Sequence, residues 1–270
     1  MQKTWRSHLL LAYSLAILAF LYVPLVILAM YSFNDSRINA VWTGFTFRWY
    51  EQLFNNRRVL EALINTLIIG FASTIVSTTL GTIAAIALHR YKYKMQSVIN
   101  GLVYLPILIP EIVMGLSLLV LFSQVQMPLG KGSLILAHIT FCLSFVVITV
   151  GARLDGMRSD YEQAASDLYA TPWQCFRYIT LPLTMPGVAA GTILVFISSL
   201  GMFVVPDVMG GAKSALVGNL IQHQFLSARD WPFGSALSIV LAVLSLLLII
   251  LYYRAIQAQN GGAENAKNMA

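Results

Sequence analysis

The stretch Asp160–Pro182, DYEQAASDLYATPWQCFRYITLP, is polar and tightly patterned, and an apolar run stands on each side of it. It reads as two short helices. The first opens on Asp160 and Glu162, acids that favour a helix N-terminus, and Ala164, Ala165 and Leu168 give it a small-residue face. Thr171 is placed to cap a second helix with Pro172 at its first position, carrying Trp173, Phe176, Arg177 and Ile179. Leu181-Pro182 predicts a break before the next apolar run. The flanking runs, 133–152 and 184–206, are long enough to cross a hydrocarbon core of about 30 Å at about 1.5 Å per residue. Four more runs of this kind lie at 9–32, 61–88, 98–122 and 235–253. In lipid each must be helical, because any other backbone leaves amides and carbonyls unpaired. The expected fold is an all-α integral membrane protein of six transmembrane helices with both termini on one side.

Composition agrees. Of 270 residues 58% are hydrophobic and 10% charged, with mean hydropathy +0.74, against about 25% charged in soluble domains. A soluble enzyme, a disordered chain and a nucleic-acid-binding domain are excluded. The net charge of +6 comes from 17 Lys and Arg in short clusters between apolar runs, a pattern that orients helices instead of forming one basic face. With the N-terminus inside, ten lie inside (Lys3, Arg6, Arg90, Lys92, Lys94, Arg153, Arg158, Arg177, Arg254, Lys267) and seven outside (Arg37, Arg48, Arg57, Arg58, Lys131, Lys213, Arg229). The first apolar run is too long for a signal peptide and no small-residue cleavage site follows it, so it is expected to be a retained helix. Cys142 and Cys175 have no CxxC or His partner at ligand spacing, and both read as unpaired thiols with no metal site.

Polar residues inside the runs are few. Glu111 follows Pro106 and Pro110 in the third run, where prolines mark a broken or cavity-lining helix. An intramembrane carboxylate costs about 2.5–3.5 kcal/mol on insertion scales, so Glu111 is expected to face either a cargo path or the interface. Asp207, beyond Pro206, stands the same way, and Tyr104 and Phe203 offer cation–π faces for a cationic cargo. His138 reads as a hydrogen-bonded packing residue. Gly187 and Gly191, with the small residues from Ser73 to Thr82, allow close helix approach, within the chain or to a partner. Residues 46–56 place Phe47, Trp49, Tyr50, Leu53 and Phe54 at helical spacing, as an interfacial helix would. The polar tail is expected to be disordered from about Gln259.

The 160–182 segment resembles the EAA loop of permease subunits from type I ABC importers, whose pattern is Glu-Ala-Ala, three residues, Gly, nine residues, Ile-x-Leu-Pro. Ala164-Ala165, Ile179 and Leu181-Pro182 match, while Gln163 stands at the Glu and Tyr169 at the Gly. The resemblance implies that Glu162, Gln163, Ala164, Ala165, Asp167, Tyr169, Pro172, Leu181 and Pro182 form a coupling helix that inserts into a cytoplasmic ATPase. It implies a second permease, two ATP-binding subunits and an extracytoplasmic substrate-binding protein as partners, and the bacterial inner membrane as location. The chain itself is then no enzyme and binds no cofactor, ATP and Mg being held by the ATPase, and no GxxxxGK[ST] occurs in it. Two departures stand out. Gln163 removes a charge, for which Glu162 is placed to substitute. Tyr169 replaces a Gly at a helix end that favours φ > 0, at a cost of about 1 kcal/mol or more, so coupling is expected to be altered or weaker.

The likeness extends along the chain and is to the spermidine/putrescine branch. YVPLVILAMYSFNDSR at 22–37, IPEIVMGLSLLVLF at 109–122 and AHITFCLSFVV at 137–147 resemble one of its two permease types. After about Leu181 the segments 182–187, 199–213 and 229–234 are similar to the other, and Leu200, Gly201 and Met202 stand where the first type carries an acidic pair in its fifth span. The implied cargo is a small polycation. Phosphonate, iron-chelate or sulfate import, and a polytopic assembly protein without transport, stay open as alternatives. The expected division is 1–60 (first helix and outer loop), 61–254 (permease core) and 255–270 (tail).

Overall fold

The computed structural model describes residues 5–37, 41–91, 94–157, 160–210 and 214–268. Lys3, Lys92, Arg158 and Lys213, counted above for orientation, lie outside the described residues, as do the side chains of Arg6 and Lys267. Among the described residues the fold is helical apart from one isolated bridge between Asn34 and Phe45. The helices are α1 (Trp5–Ser32), α2 (Arg48–Phe54), α3 (Arg57–Arg90), α4 (Gln96–Leu108), α5 (Glu111–Gln124), α6 (Lys131–Asp155), α7 (Asp160–Asp167), α8 (Pro172–Cys175), α9 (Leu181–Gly201), α10 (Val204–Met209), α11 (Val217–His223) and α12 (Trp231–Asn268).

Five helices are long and apolar enough to cross a membrane, and the pair α4 and α5 makes a sixth span if counted as one. That pair is bent by 111°. The cause is local. Ile109 is extended (φ −80°, ψ 134°), as a residue before proline prefers, and Pro110 has no amide to carry the helical ladder across the junction. The third run expected from sequence is therefore two helices meeting at a proline corner.

The described chain divides into two compact units, Met1–Leu60 with Leu220–Ala270, and Glu61–Asn219. In the first, α12 packs along α1 and against α2. Trp49 and Leu53, one helical turn apart, are buried, and the Trp49 indole N–H donates to the Asn34 carbonyl at 2.7 Å. The Arg48 guanidinium lies over the Trp49 ring, 4.4 Å from its centroid. This segment thus packs through one face and leaves Phe47 and Phe54 exposed on the other. By its contacts α12 groups with α1 in this unit. Its helix also continues to Asn268, so the tail expected to be disordered extends an existing helix. Adding residues to a formed helix avoids the nucleation cost.

In the second unit α6 and α9 pack closely along each other. Glycine permits the approach. A Cβ on Gly187 would lie 2.7 Å from the Arg153 Cβ, and one on Gly191 2.9 Å from the Thr149 hydroxyl oxygen. Gly81 on α3 meets Val146 in the same way, at 2.6 Å. The small-residue stretches thus serve packing within the chain. Hydroxyls then bridge α3 to α9, Ser73 to Ser199 at 3.4 Å and Thr78 to Thr192 at 3.3 Å. His138 is fully buried with Nδ1 2.8 Å from the Leu134 carbonyl, the packing role expected of it.

The junction before α9 differs from expectation. Pro172–Gly201 is one continuous helical stretch, with a π-helical turn at Phe176–Thr180 between α8 and α9. The Leu181 amide reaches back to the Phe176 carbonyl, five residues earlier. This wider turn gives the Pro182 ring room where an α-helical carbonyl would clash, so Leu181-Pro182 shifts the ladder without breaking it.

Gly187→Val is expected to destabilise the purified protein by about 1–3 kcal/mol through overpacking against α6. Gly101→Ala on α4, where an added Cβ meets nothing within 4 Å, is expected to leave the melting temperature unchanged or slightly raised. Equal melting temperatures for Gly187→Val and the parent would contradict the packing described.

Candidate functional site

The first helix of the 160–182 segment ends as its sequence foretells. Tyr169 takes φ 60°, the left-handed value a Gly would adopt without strain. Its amide bonds to the Ser166 carbonyl and that of Ala170 to the Ala165 carbonyl, both at 3.0 Å, which are the two bonds of a Schellman closure. The strain is therefore tolerated, and the turn it makes throws side chains outward. Tyr169 is 94% exposed, Leu168 82% and Trp173 65%. Thr171 then caps α8: its hydroxyl accepts from the Gln174 amide, and the Gln174 side chain accepts from the Thr171 amide at 2.8 Å. Pro172 occupies the first turn, as expected.

Gln163, Ala164, Asp167, Pro172 and Pro182 are exposed, Leu181 is half-buried and Ala165 is buried. The two alanines do not share a face. Glu162 turns inward: its Oε1 accepts from Arg90 Nη2 at 2.7 Å and from the Thr180 hydroxyl at 2.5 Å. Arg90 donates to Thr180 as well, at 3.1 Å, closing a three-residue clamp. Glu162 is thus engaged within the chain. Partial burial pushes its carboxyl up, but the hydrogen bonds from Thr180 and Arg90 and the Arg90 charge outweigh this and hold it below the ordinary carboxylate value. Beside the clamp, His89 pairs with Asp155 at 3.2 Å. Arg90 and Thr180 were missed in the sequence, where Arg90 reads only as one of a basic cluster.

The four cargo-path candidates separate. Glu111, at the start of α5, accepts from the Val204 and Val205 amides at 3.2 and 3.3 Å. Those are orphan donors in the first turn of α10, so the carboxylate caps a neighbouring helix. Phe203 and Asp207 belong to the same corner. The Asn219 side chain donates to the Phe203 carbonyl at 2.9 Å and lies 3.5 Å from the exposed Asp207 carboxylate. Tyr104 stands apart from them, lining a cavity between α3, α4 and α6. Among the described residues no group of three His, Cys, Asp or Glu could hold a metal ion.

Comparison with known proteins defines the class. Residues 77–261 match the family described as "Binding-protein-dependent transport system inner membrane component". The chain belongs to that family and is a membrane transport permease of the inner membrane. It is 38% identical over 240 residues to the spermidine/putrescine transport system permease protein PotC of Haemophilus influenzae, covering 89% of this chain and 93% of that one. To PotB of the same organism it is 31% identical over 263 residues, covering 91% and 92%. Its fold is similar to a chain of the bacterial alginate ABC transporter in complex with alginate pentasaccharide-bound periplasmic protein, with TM-score 0.74, 19% identity and 91% of both chains covered.

A carboxyl whose folded value is lowered adds stability above its unfolded value, about 4.3, and loses it as pH falls through the folded value. Glu162→Gln is therefore expected to lower thermal stability at pH 7 and to flatten the acid limb of the stability curve below about pH 4. Parallel parent and variant curves would contradict the clamp. Glu111→Ala, which strips two α10 amides of their acceptor, is expected to cost about 1–3 kcal/mol, with Glu111→Gln recovering part because it keeps one carbonyl oxygen.

Proposed function

We propose that this chain is the PotC-type permease subunit of an ATP-driven importer that carries spermidine and putrescine inward across the bacterial inner membrane. The observation that carries the reading is the 38% identity to PotC across 240 residues. A match of that length runs well past Leu181, so it supports the PotC role over the mixed character that the segments after Leu181 suggest, and the lower identity to PotB agrees. In this reading both termini are cytoplasmic and the 160–182 segment faces a partner ATPase. The chain pairs with a second permease and takes cargo from an extracytoplasmic binding protein. Hydrolysis belongs to the ATP-binding subunits.

The exposed surface of the segment, with Gln163, Asp167, Leu168, Tyr169 and Trp173, is suited to grip by another protein. The Arg90–Glu162–Thr180 clamp joins that surface to the end of α3, so ATPase motion at α7 is passed to the bundle as a rigid pull. For cargo, Asp207 is the path carboxylate left exposed once Glu111 is spent on capping.

Cells depending on this importer are expected to take up radiolabelled putrescine, with unlabelled spermidine and putrescine competing and sulfate or phosphonate failing to compete. Deleting 160–182 is expected to abolish co-purification of the ATPase. Competition by anions alone would overturn the cargo, and an ATPase still bound after the deletion would overturn the docking site.

A further inference from the structure

Between α3, α4 and α6, at the end of the unit that holds the clamp, lies a cavity of about 290 Å³. That volume holds about ten waters' worth of ligand at about 30 Å³ each, near the lower limit of small-molecule sites. Asp155, its side chain 77% exposed, is the one carboxylate, Gln96 and Asn100 each bring an amide, and Tyr104 presents a half-exposed ring. The Gln96 amide nitrogen is committed to the Leu88 carbonyl at 3.2 Å, which leaves its oxygen as the free end. His89 completes the set, held 3.2 Å from Asp155. Three acceptors and an aromatic face within one small cavity suit an ammonium group, which brings three donors and a charge.

His89 also lines the smaller pocket that contains Arg90, Glu162 and Thr180. A ligand that pairs with the Asp155 oxygen facing His89 competes with that imidazole, and the residue next to His89 is the clamp arginine. We propose that this cavity is a regulatory site for a small primary-ammonium compound, which pairs with Asp155 in place of His89 and loosens the clamp, lowering the coupling of hydrolysis to transport. The ammonium group is supplied by a soluble diamine or by an aminophospholipid headgroup. The site rests on its own lining; only the sense of the regulation rests on the coupling function proposed above.

The test uses the assembled transporter in nanodiscs of phosphatidylcholine, without binding protein, with 1,4-diaminobutane as probe in calorimetry. Saturable binding is expected, weakened at least tenfold by Asp155→Asn. Gly151→Leu, which fills the cavity from a position where an added Cβ meets nothing within 4 Å, is expected to abolish binding while leaving uninhibited ATPase activity within twofold of the parent. Replacing half the lipid by phosphatidylethanolamine lowers the apparent diamine affinity if the headgroup shares the site and leaves it unchanged if only the soluble amine enters. Either lipid result supports an ammonium site. Equal affinity in parent, Asp155→Asn and Gly151→Leu, or no binding to the parent, would overturn it. Because uptake is not measured, failure here is separable from failure of the polyamine reading.

Discussion

The pairing of Arg90 with Glu162, closed by the Thr180 hydroxyl, is the contact on which the rest of the structure turns. Without it, a short helix of eight residues would rest on the bundle through Ala165 and little more. An isolated helix of that length is not stable in water, and the turn that closes it exposes Leu168 and Tyr169. The clamp fixes α7 to α3 from one side while the π-turn carrying Thr180 runs without interruption into α9. Displacement of α7 therefore reaches two long helices at once. The three groups are separated by 72 and 18 positions in the chain, so the contact joins elements that are remote in sequence.

A second constraint shapes the opposite corner. Short helices at membrane depth expose amide groups that lipid cannot satisfy. Glu111 meets that need for α10, and its place at the proline corner between α4 and α5 brings the carboxylate there. A carboxylate in a span is a functional candidate by default, and here backbone chemistry claims it first. Asp207 in the same short helix is exposed, 3.5 Å from the Asn219 amide nitrogen.

Much of this was legible in the sequence because it depends on local chemistry. Hydropathy located the spans, Pro106 and Pro110 foretold the break in the third, and Thr171-Pro172 foretold the cap of α8. The Gly position filled by Tyr169 foretold a left-handed residue, which the Schellman bonds realise. What escaped was non-local. Nothing in the basic cluster 89–94 marks Arg90 as a partner of Glu162, nothing beside Glu111 marks Val204, and a Leu-Pro step looks like a break unless the π-turn before it is known. The grouping of α12 with α1 escaped for the same reason, since it follows from packing between the two ends of the chain.

In the coupling role proposed above, force enters through the 160–182 segment and crosses the Arg90–Glu162 contact. Exchange of the two charges tests it most directly. Arg90→Glu, Glu162→Arg and the double exchange are assembled with the partner subunits in proteoliposomes, and ATP-driven uptake is measured beside ATPase retention. Each single variant should keep the ATPase bound yet lose most of its uptake, and the double exchange should regain a substantial part. Full uptake by both single variants would contradict the claim.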